Sequence, residues 1–180
     1  HPLKSYNHSV HGQAFAAGKS QAAVCTDCHG SHDLHGAANS DSRVFWKNVP
    51  GTCARCHHNV AAVYHESIHG QVAARGVKEA PVCTDCHGEH TIRSWRDPAS
   101  SVWAGAVTKT CSRCHASERV IAKFGLPLDS VASYLDSYHG LASRRGGLVM
   151  ANCASCHGYH DVRPSSDPAS SVHPARLPIH

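Results

Sequence analysis

Ten cysteines in this chain form five C-x-x-C pairs, and a histidine directly follows every pair. Two thiols at this spacing can form thioethers with the two vinyl groups of one porphyrin, and the adjacent imidazole is then held under the ring as an axial iron ligand. The pattern predicts five covalently bound c-type haems, attached through Cys25, Cys28, Cys53, Cys56, Cys83, Cys86, Cys111, Cys114, Cys153 and Cys156. The predicted proximal ligands are His29, His57, His87, His115 and His157.

Three other uses of paired cysteines explain the pattern less well. A thioredoxin-like redox site uses a single C-x-x-C on a βαβ frame, and no βαβ pattern is visible here. Zinc ribbons pair two C-x-x-C units, but the spacings in this chain are long and zinc gives no reason for the following histidine. A disulfide framework fits the even number of cysteines and also leaves the histidine unexplained.

The haem motifs belong to an internal repeat. The segments YNHSVHGQ, YHESIHGQ and YLDSYHGL begin at residues 6, 64 and 134, and the histidine before each glycine stands 14 residues ahead of a C-x-x-C-H-G-x-H motif. In the first two units a second C-x-x-C-H begins 25 residues after that motif's second cysteine. We predict one multihaem domain over residues 1–180, built from repeats with two, two and one haems at 6–63, 64–133 and 134–180.

Each complete repeat supplies two further histidines, which is one for each of its haems. These histidines are predicted to be the distal axial ligands, so that every iron has histidine on both faces. In CTDCHGSH the first histidine would hold its own haem, and the second would reach another one. The predicted distal ligands are His11, His32, His69, His90, His139 and His160.

Six distal histidines for five haems leave one over. We expect His160 to be the spare one, or to serve a haem on a neighbouring chain. The third repeat also stops where the 25-residue interval would place another cysteine, although its DPASSV segment repeats that of the second unit. The expectation is either a shortened six-haem array, or a processed product or fragment of a longer chain.

The remaining histidines occur in one repeat only and are predicted to be surface or hydrogen-bonding residues. Those near the two ends are also candidates for ligation across a subunit contact. Met150, the single methionine, could in principle bind a haem iron but is expected to pack against its neighbours. The histidines of this group are His1, His8, His35, His58, His65, His173 and His180.

Large apolar side chains are scarce, because aromatic residues make up 6% of the chain and the hydrophobic 41% includes the cysteines and many alanines. A core of protein alone would therefore be thin. Helical spacing predicts short helices over 58–75, 112–124 and 129–146, the last with Asp129 as N-cap and Gly146 as its stop. No strand pattern is present, so the predicted fold is mostly irregular with a few short α-helices around a stack of haems.

Charge gives no support to a nucleic-acid partner. The formal net charge is +4, but each haem brings two propionates, and there is no basic run with interleaved aromatic residues. No apolar stretch is long enough to span a bilayer, and no signal peptide is visible. Because haem is attached in this way outside the cytoplasm, we expect a mature form that begins at His1.

The five C-x-x-C-H motifs, with S-x-H-G before and C-H-G-x-H after them, resemble the multihaem c-type cytochromes over residues 6–172. Within that family the chain is similar to bacterial and archaeal electron-transfer cytochromes with bis-histidine haems, including those that form extracellular nanowires. The resemblance implies a multihaem cytochrome c architecture with the haem stack as the core. It also implies haems in contact, in alternating stacked and T-shaped pairs, with electrons passing along the row.

Two classes of function are compatible with these motifs. An electron conduit has no substrate and holds irons close together at potentials set by ligands, burial and charge. A multihaem reductase, resembling those that act on nitrite, hydroxylamine or tetrathionate, needs one open iron with acid–base groups beside it. We favour the conduit and not an enzyme, because all five motifs are regular and the repeats supply enough distal histidines.

The favoured interpretation is a self-assembling extracellular or cell-surface filament that conducts electrons to external acceptors. Its partners would be further copies of the chain, other redox proteins or extracellular acceptors. A discrete periplasmic five-haem carrier, or a subunit of a larger redox complex, is the alternative.

Overall fold

The computed structural model describes residues 1–145 and 150–177 of the chain. This part contains twelve short α-helices and one turn of 3-10 helix, and none of its residues forms a β-strand. The helices of the first half are α1 (Pro2–Asn7), α2 (Val10–Ala16), α3 (Cys25–His29), α4 (Val49–Ala54), α5 (His58–Glu66), α6 (Ile68–Ala74) and α7 (Cys83–His87). Those of the second half are α8 (Val107–His115), α9 (Glu118–Phe124), α10 (Ser130–Asp136), α11 (Tyr138–Arg144) and α12 (Cys153–His157), followed by the 3-10 turn Pro174–Arg176.

The predicted fold of short helices without strands is confirmed, but the predicted helices are not continuous. The stretch 58–75 divides into α5 and α6 at Ser67, and 129–146 divides into α10 and α11 at Ser137, because both serines have extended backbone. The stretch 112–124 covers the end of α8 and all of α9. Two residues named in the sequence analysis, Gly146 and His180, lie outside the described residues.

The Y-x-x-S-x-H-G element explains these corners. The Ser67 hydroxyl donates to the Tyr64 carbonyl at 2.6 Å and accepts from the Gly70 amide at 3.1 Å, so it caps α6 while holding the end of α5. A Cβ on Gly70 would stand 2.1 Å from the Tyr64 carbonyl oxygen, so a side chain does not fit. The same pair of serine bonds occurs in the elements that begin at residues 6 and 134.

The apolar core of the polypeptide is small, as the composition predicted. Its main cluster consists of Val49, Ala73, Ala80 and Val82, and the largest fully buried side chains are serines. The accessible surface is 11937 Å². A compact monomer of 19.2 kDa would expose about 8,400 Å². The polypeptide therefore leaves more surface exposed than an ordinary domain of its mass, in keeping with its small apolar core.

Two compact units divide the chain, namely His1–Ser94 with His160–Val162, and Trp95–Tyr159 with Arg163–His180. In the first unit α4 packs on α3, α5 and α7, and α5 packs on α6. In the second unit α8 contacts α9, α10 and α12, and α10 packs on α11. The division into repeats at 6–63, 64–133 and 134–180 within one domain stays a prediction.

Candidate haem-binding sites

Three of the haem motifs, called first-type motifs below, begin at Cys25, Cys83 and Cys153 and are followed by G-x-H. Each forms a five-residue helix, namely α3, α7 or α12. The Asp85 carboxylate accepts from the Val82 amide at 2.7 Å, and Asp27 makes the same bond to Val24 at 2.8 Å. These bonds fix the backbone just before the first cysteine of the motif.

A glycine ends every first-type motif. Gly88 has φ 80° and ψ −179°, a conformation that is open almost only to glycine. Gly30 and Gly158 have the same conformation. The chain therefore leaves the helix abruptly after the proximal histidine, which separates that histidine from the next one along the sequence.

The two second-type motifs begin at Cys53 and Cys111 and lack this glycine. In the motif that begins at Cys53, the first cysteine lies in α4, and the chain continues through His57 into α5. The motif that begins at Cys111 lies entirely in α8. The threonine before each first cysteine anchors the preceding loop. Thr52 donates to the Arg43 carbonyl and Thr110 to the Ser101 carbonyl, both at 2.7 Å.

A tyrosine ties each Y-x-x-S-x-H-G element to the first-type motif of the same repeat. The Tyr64 hydroxyl donates to the Pro81 carbonyl at 2.8 Å, two residues before Cys83. Tyr6 donates to Ala23 at 2.9 Å and Tyr134 to Ala151 at 3.1 Å in the corresponding places. Burial raises the pKa of Tyr64, so this phenol remains protonated and able to donate.

Backbone hydrogen bonds bring the C-H-G-x-H segment of one repeat to the preceding repeat. The Val10 amide donates to the Ile92 carbonyl at 2.8 Å, and the Ile68 amide donates to the Val162 carbonyl at 2.9 Å. Both acceptors stand two residues after a predicted distal histidine. This contact positions those histidines next to the S-x-H-G element of the repeat before.

Three pairs of imidazoles are recorded among the described residues, and each joins a predicted proximal to a predicted distal ligand. The ring centres of His29 and His90 lie 5.8 Å apart with their planes at 7°. Those of His87 and His160 lie 5.9 Å apart at 12°. The pair His11 and His57 has a separation of 6.2 Å at 35°.

These distances suit a shared metal ion. A first-row metal bonds an imidazole nitrogen at about 2.0–2.1 Å, so two imidazoles opposed on one iron place their ring centres about 6 Å apart. Offset aromatic pairs also occur at this distance. The recurrence of proximal with distal partners in all three pairs favours the metal. The residues present therefore fit haem with two histidine ligands.

Burial also favours the neutral, metal-binding form of His11, His87 and His160. It lowers the pKa of His87, and the neighbouring His160 and His57 lower it further. Burial likewise lowers the pKa of His11, of His160 and, in the second unit, of His115. A neutral imidazole keeps a ring nitrogen lone pair free for a metal.

The structure differs from the expectation that His160 is the spare distal histidine, because His160 faces His87. Among the six predicted distal ligands, His32 and His139 are the exposed ones. The proximal histidine His157 is exposed as well, and no imidazole among the described residues is recorded opposite its ring. Non-local contacts decide which distal histidine is used, and no local signal separated His32 from His90.

Cysteines of different motifs lie side by side within each unit. Cys53 and Cys83 are joined by a hydrogen bond, which raises the pKa of Cys53 and lowers that of Cys83. Cys153 is hydrogen-bonded to Cys111, and this bond lowers the pKa of Cys153 to about 6. Haems held by a second-type motif and by the following first-type motif would therefore be attached at adjacent points.

Three of the histidines found in one repeat only make hydrogen-bond contacts that the structure describes. His1 accepts from the Leu3 amide at 3.3 Å, and His173 accepts from Ala175 at 3.2 Å, so both cap short helices. The His35 ring lies 3.4 Å from the Asn39 amide nitrogen. These contacts agree with the predicted hydrogen-bonding role.

Comparison with protein families agrees with the motif analysis. The family model described as cytochrome c7 and related cytochrome c matches residues 37–116, which hold three of the five C-x-x-C-H motifs. The match supports a multihaem c-type cytochrome. The match also supports electron transfer through c-type haems. No curated protein and no solved structure matches the chain.

Sequence reasoning missed the side chains that hold the predicted ligands in place. The tyrosine, serine and glycine of the S-x-H-G elements were visible as repeated letters, but only the structure shows their bonds. None of the helices in the described ranges is long and apolar enough to cross a membrane.

Proposed function

We propose that this chain carries electrons through five covalently attached c-type haems, and that its side chains place and ligate the irons instead of reacting with a substrate. A haem iron supplies reversible one-electron oxidation and reduction when it is bound. The observation that carries the proposal is the set of three opposed imidazole pairs, because two histidines on one iron leave no position for a substrate.

The neighbouring cysteines support a connected row of irons. Cys53 beside Cys83 and Cys111 beside Cys153 fix two haem attachments next to each other in each unit. The protein thereby limits the distance over which an electron must pass between those two haems. In sequence, His69 precedes His115 by the same 46 residues that separate His11 from His57, and the repeat assigns it the same role.

The test is a set of alanine variants of the paired distal histidines. His11→Ala, His90→Ala and His160→Ala should each convert one ferric haem from low-spin to high-spin, measured by quantitative low-temperature EPR. Intact mass should still show five covalent haems in every variant, because no cysteine is changed. His8→Ala is the matched control, since His8 is exposed and belongs to no pair. Unchanged spin states in the three variants would contradict the proposal.

We further propose that the chain works as a subunit of an extracellular or cell-surface filament. The exposed distal histidines His32 and His139 and the unopposed ring of His157 support an iron row that continues into a neighbour. A periplasmic carrier or a subunit of a larger redox complex is the alternative. Electron microscopy and sedimentation of the purified holoprotein distinguish a filament from a discrete particle.

A specific observation favours a second candidate function, namely a reductase. No imidazole in the described ranges is recorded opposite His157, so a haem held at Cys153 and Cys156 would have no assigned second ligand and could bind a small molecule. If that haem remains high-spin in assembled protein, binds carbon monoxide when reduced and turns over nitrite or hydroxylamine, the conduit proposal is replaced by the enzyme.

A further inference from the structure

The residue directly before the second cysteine of each haem motif differs in charge between the two motif types. It is an aspartate in the first-type motifs that begin at Cys25 and Cys83, and an arginine in both second-type motifs. In the first-type motif that begins at Cys153 it is a serine. Four of the five haems would therefore have a charged side chain at their attachment point. In chain order the five residues are Asp27, Arg55, Asp85, Arg113 and Ser155.

The sequence around each motif carries the same sign of charge. We compare the stretches that run from four residues before the first cysteine to four residues after the proximal histidine. The three first-type stretches hold no lysine or arginine, and their acidic residues are Asp27, Asp33, Glu79, Asp85, Glu89 and Asp161. The two second-type stretches hold Glu118 and the basic residues Arg55, Lys109, Arg113 and Arg119. Every first-type stretch is therefore net negative, and every second-type stretch is net positive.

Hydrogen bonds hold the charged side chains beside the attachment cysteines. The carboxylates of Asp27 and Asp85 accept from the amide three residues earlier, at 2.8 Å and 2.7 Å. The Arg113 side chain donates to the Thr110 carbonyl at 3.4 Å, within α8. These charges therefore stay close to the points where a porphyrin would be attached.

The aspartate charge is not needed to build the motif. Ser155 occupies the place of the aspartate in α12, and its hydroxyl accepts from the Asn152 amide at 3.1 Å. Like α3 and α7, α12 has five residues and ends at a glycine of the same conformation. A neutral side chain can therefore make this bond, so the carboxylates of Asp27 and Asp85 add a charge that the local structure does not require.

A charge beside a haem shifts its reduction potential. Ferric iron carries one more positive charge than ferrous iron, so a carboxylate stabilises the oxidised form and a guanidinium stabilises the reduced form. Burial of the proximal imidazole does not separate the two motif types. His57 is exposed and His115 is half-buried in the second type, while the first type contains exposed His157 and half-buried His87. Charge is the property that follows the motif type.

Haems with opposite charge around them would be direct neighbours. In the first unit, Cys53 of a second-type motif is hydrogen-bonded to Cys83 of a first-type motif. In the second unit, Cys111 and Cys153 make the corresponding pair. Each pair would place a haem of higher potential next to a haem of lower potential.

We infer that the two second-type haems have the highest potentials and accept the first two electrons that enter the chain, because Arg55 and Arg113 favour their ferrous form while Asp27 and Asp85 favour the ferric form of the first-type haems. Each iron gains one electron from a one-electron donor, and no bond forms or breaks. The four side chains are positioning residues that act through their charge. The inference rests on the proposed electron transfer through five haems and says where the electrons reside when the protein is partly reduced.

A potentiometric titration of the holoprotein with mediator dyes, followed by absorbance and resolved into five one-electron midpoints, tests this order. Asp85→Asn keeps an oxygen for the Val82 amide and should raise one of the three lowest midpoints. At a fixed potential the ratio of ferrous to ferric iron at that haem should rise at least about threefold. Arg113→Gln should lower one of the two highest midpoints by a similar factor. No shift, or a shift in the other group of midpoints, overturns the inference.

Variants that keep the charge separate electrostatics from structure. Asp85→Glu and Arg113→Lys should leave all five midpoints where they are in the unaltered protein. Shifts equal to those of the neutral variants would show a structural role and contradict the inference. Asp136→Asn is the matched control for loss of one carboxylate, because Asp136 is 85% exposed and lies outside every compared stretch. A shift in Asp136→Asn as large as that in Asp85→Asn would contradict the assignment to position.

Ser155→Asp provides the converse test, because it introduces the aspartate of the other first-type motifs. It should lower one midpoint, with the ferrous to ferric ratio at that haem falling at least about threefold and the covalent haem content unchanged. An unchanged set of midpoints in Ser155→Asp would count against the inference.

Salt distinguishes the exposed charges from the other influences on potential. Raising the ionic strength from about 0.01 M to about 1 M shortens the screening length from about 30 Å to about 3 Å. The five midpoints should therefore move closer together, and a spread that does not depend on salt overturns the inference. The proposed electron-transfer function fails separately, if the unaltered protein lacks five haems or the three distal variants of the preceding section keep their spin states.

Discussion

The S-x-H-G elements and the C-H-G-x-H segments both present a distal histidine, but they hold it in different ways. At Ser9, Ser67 and Ser137 the corner is fixed by the same local hydrogen bonds, whether or not the histidine that follows is buried. A C-H-G-x-H segment depends on one glycine with positive φ and, at His90 and His160, on a backbone hydrogen bond to another repeat. The first kind of element is therefore complete within its own repeat, whereas the second needs a neighbour.

Breaking the local element should have the largest effect on stability. In Gly12→Ala the new Cβ would lie 2.1 Å from the Tyr6 carbonyl oxygen and 2.9 Å from the Asn7 Cα, and these backbone atoms cannot turn away. We expect a loss of about 3 kcal/mol. For a chain of this size that is a melting temperature about 6–12 °C lower, measured by circular dichroism of the holoprotein. His11 should also leave His57, giving one high-spin haem.

Gly36→Ala is the control for this variant, because a Cβ on Gly36 has no neighbour within 4 Å and its backbone needs no positive φ. Its melting temperature should stay within about 2 °C of the unaltered protein, in line with surface substitutions. If Gly12→Ala melts at the same temperature as Gly36→Ala, the corner is not the rigid element that its hydrogen bonds indicate.

Changing the glycine of the second kind of element should have a smaller effect on stability and a clear effect on ligation. Gly88→Ala puts a side chain at φ 80°, which costs about 1–3 kcal/mol, and its Cβ would lie 3.2 Å from the Thr91 hydroxyl. The backbone would then turn less sharply before His90. We expect a partial high-spin signal from the haem of His29, with the covalent haem content unchanged.

Gly18→Ala separates backbone strain from ligation. Gly18 has φ 77°, close to that of Gly88, but a Cβ there meets no atom within 4 Å and no predicted iron ligand is adjacent to it. It should lower the melting temperature to a similar extent and leave every haem low-spin. A high-spin haem in Gly18→Ala would mean that general loosening, and not the turn at Gly88, displaces His90.

The contrast between S-x-H-G elements and C-H-G-x-H segments also separates features that the sequence predicts from features that it does not. Helical spacing predicted a fold of short helices, which is confirmed, because this feature is local. The attachment residues and candidate ligands, read from the cysteine spacing and the repeated S-x-H-G letters, stay predictions. The breaks at Ser67 and Ser137 were missed because apolar periodicity continues across them. A serine three residues before a glycine was the available signal, since its hydroxyl competes for the helix amides.

The identity of the spare histidine could not be predicted in the same way. His32, His90 and His160 occupy the same position of one motif, so no local feature distinguishes them. Only the backbone bonds Val10 to Ile92 and Ile68 to Val162 show that the segments of His90 and His160 lie beside the repeat before their own. The shortness of the third repeat led to the expectation that His160 is the spare one.

The smallest effect expected here comes from the tyrosine that joins an S-x-H-G element to its haem motif. Tyr64→Phe removes the 2.8 Å bond to the Pro81 carbonyl and keeps the buried ring. A lost hydrogen bond of this kind costs about 1 kcal/mol, or about 2–4 °C in melting temperature. Tyr138→Phe is the control, because that ring is exposed and should give no change in the monomer.

Since the corner at Ser67 is complete without Tyr64, the haems should stay low-spin in Tyr64→Phe. A high-spin haem in this variant would show that the element depends on its link to the haem motif, and the contrast between local and neighbour-dependent elements would no longer hold.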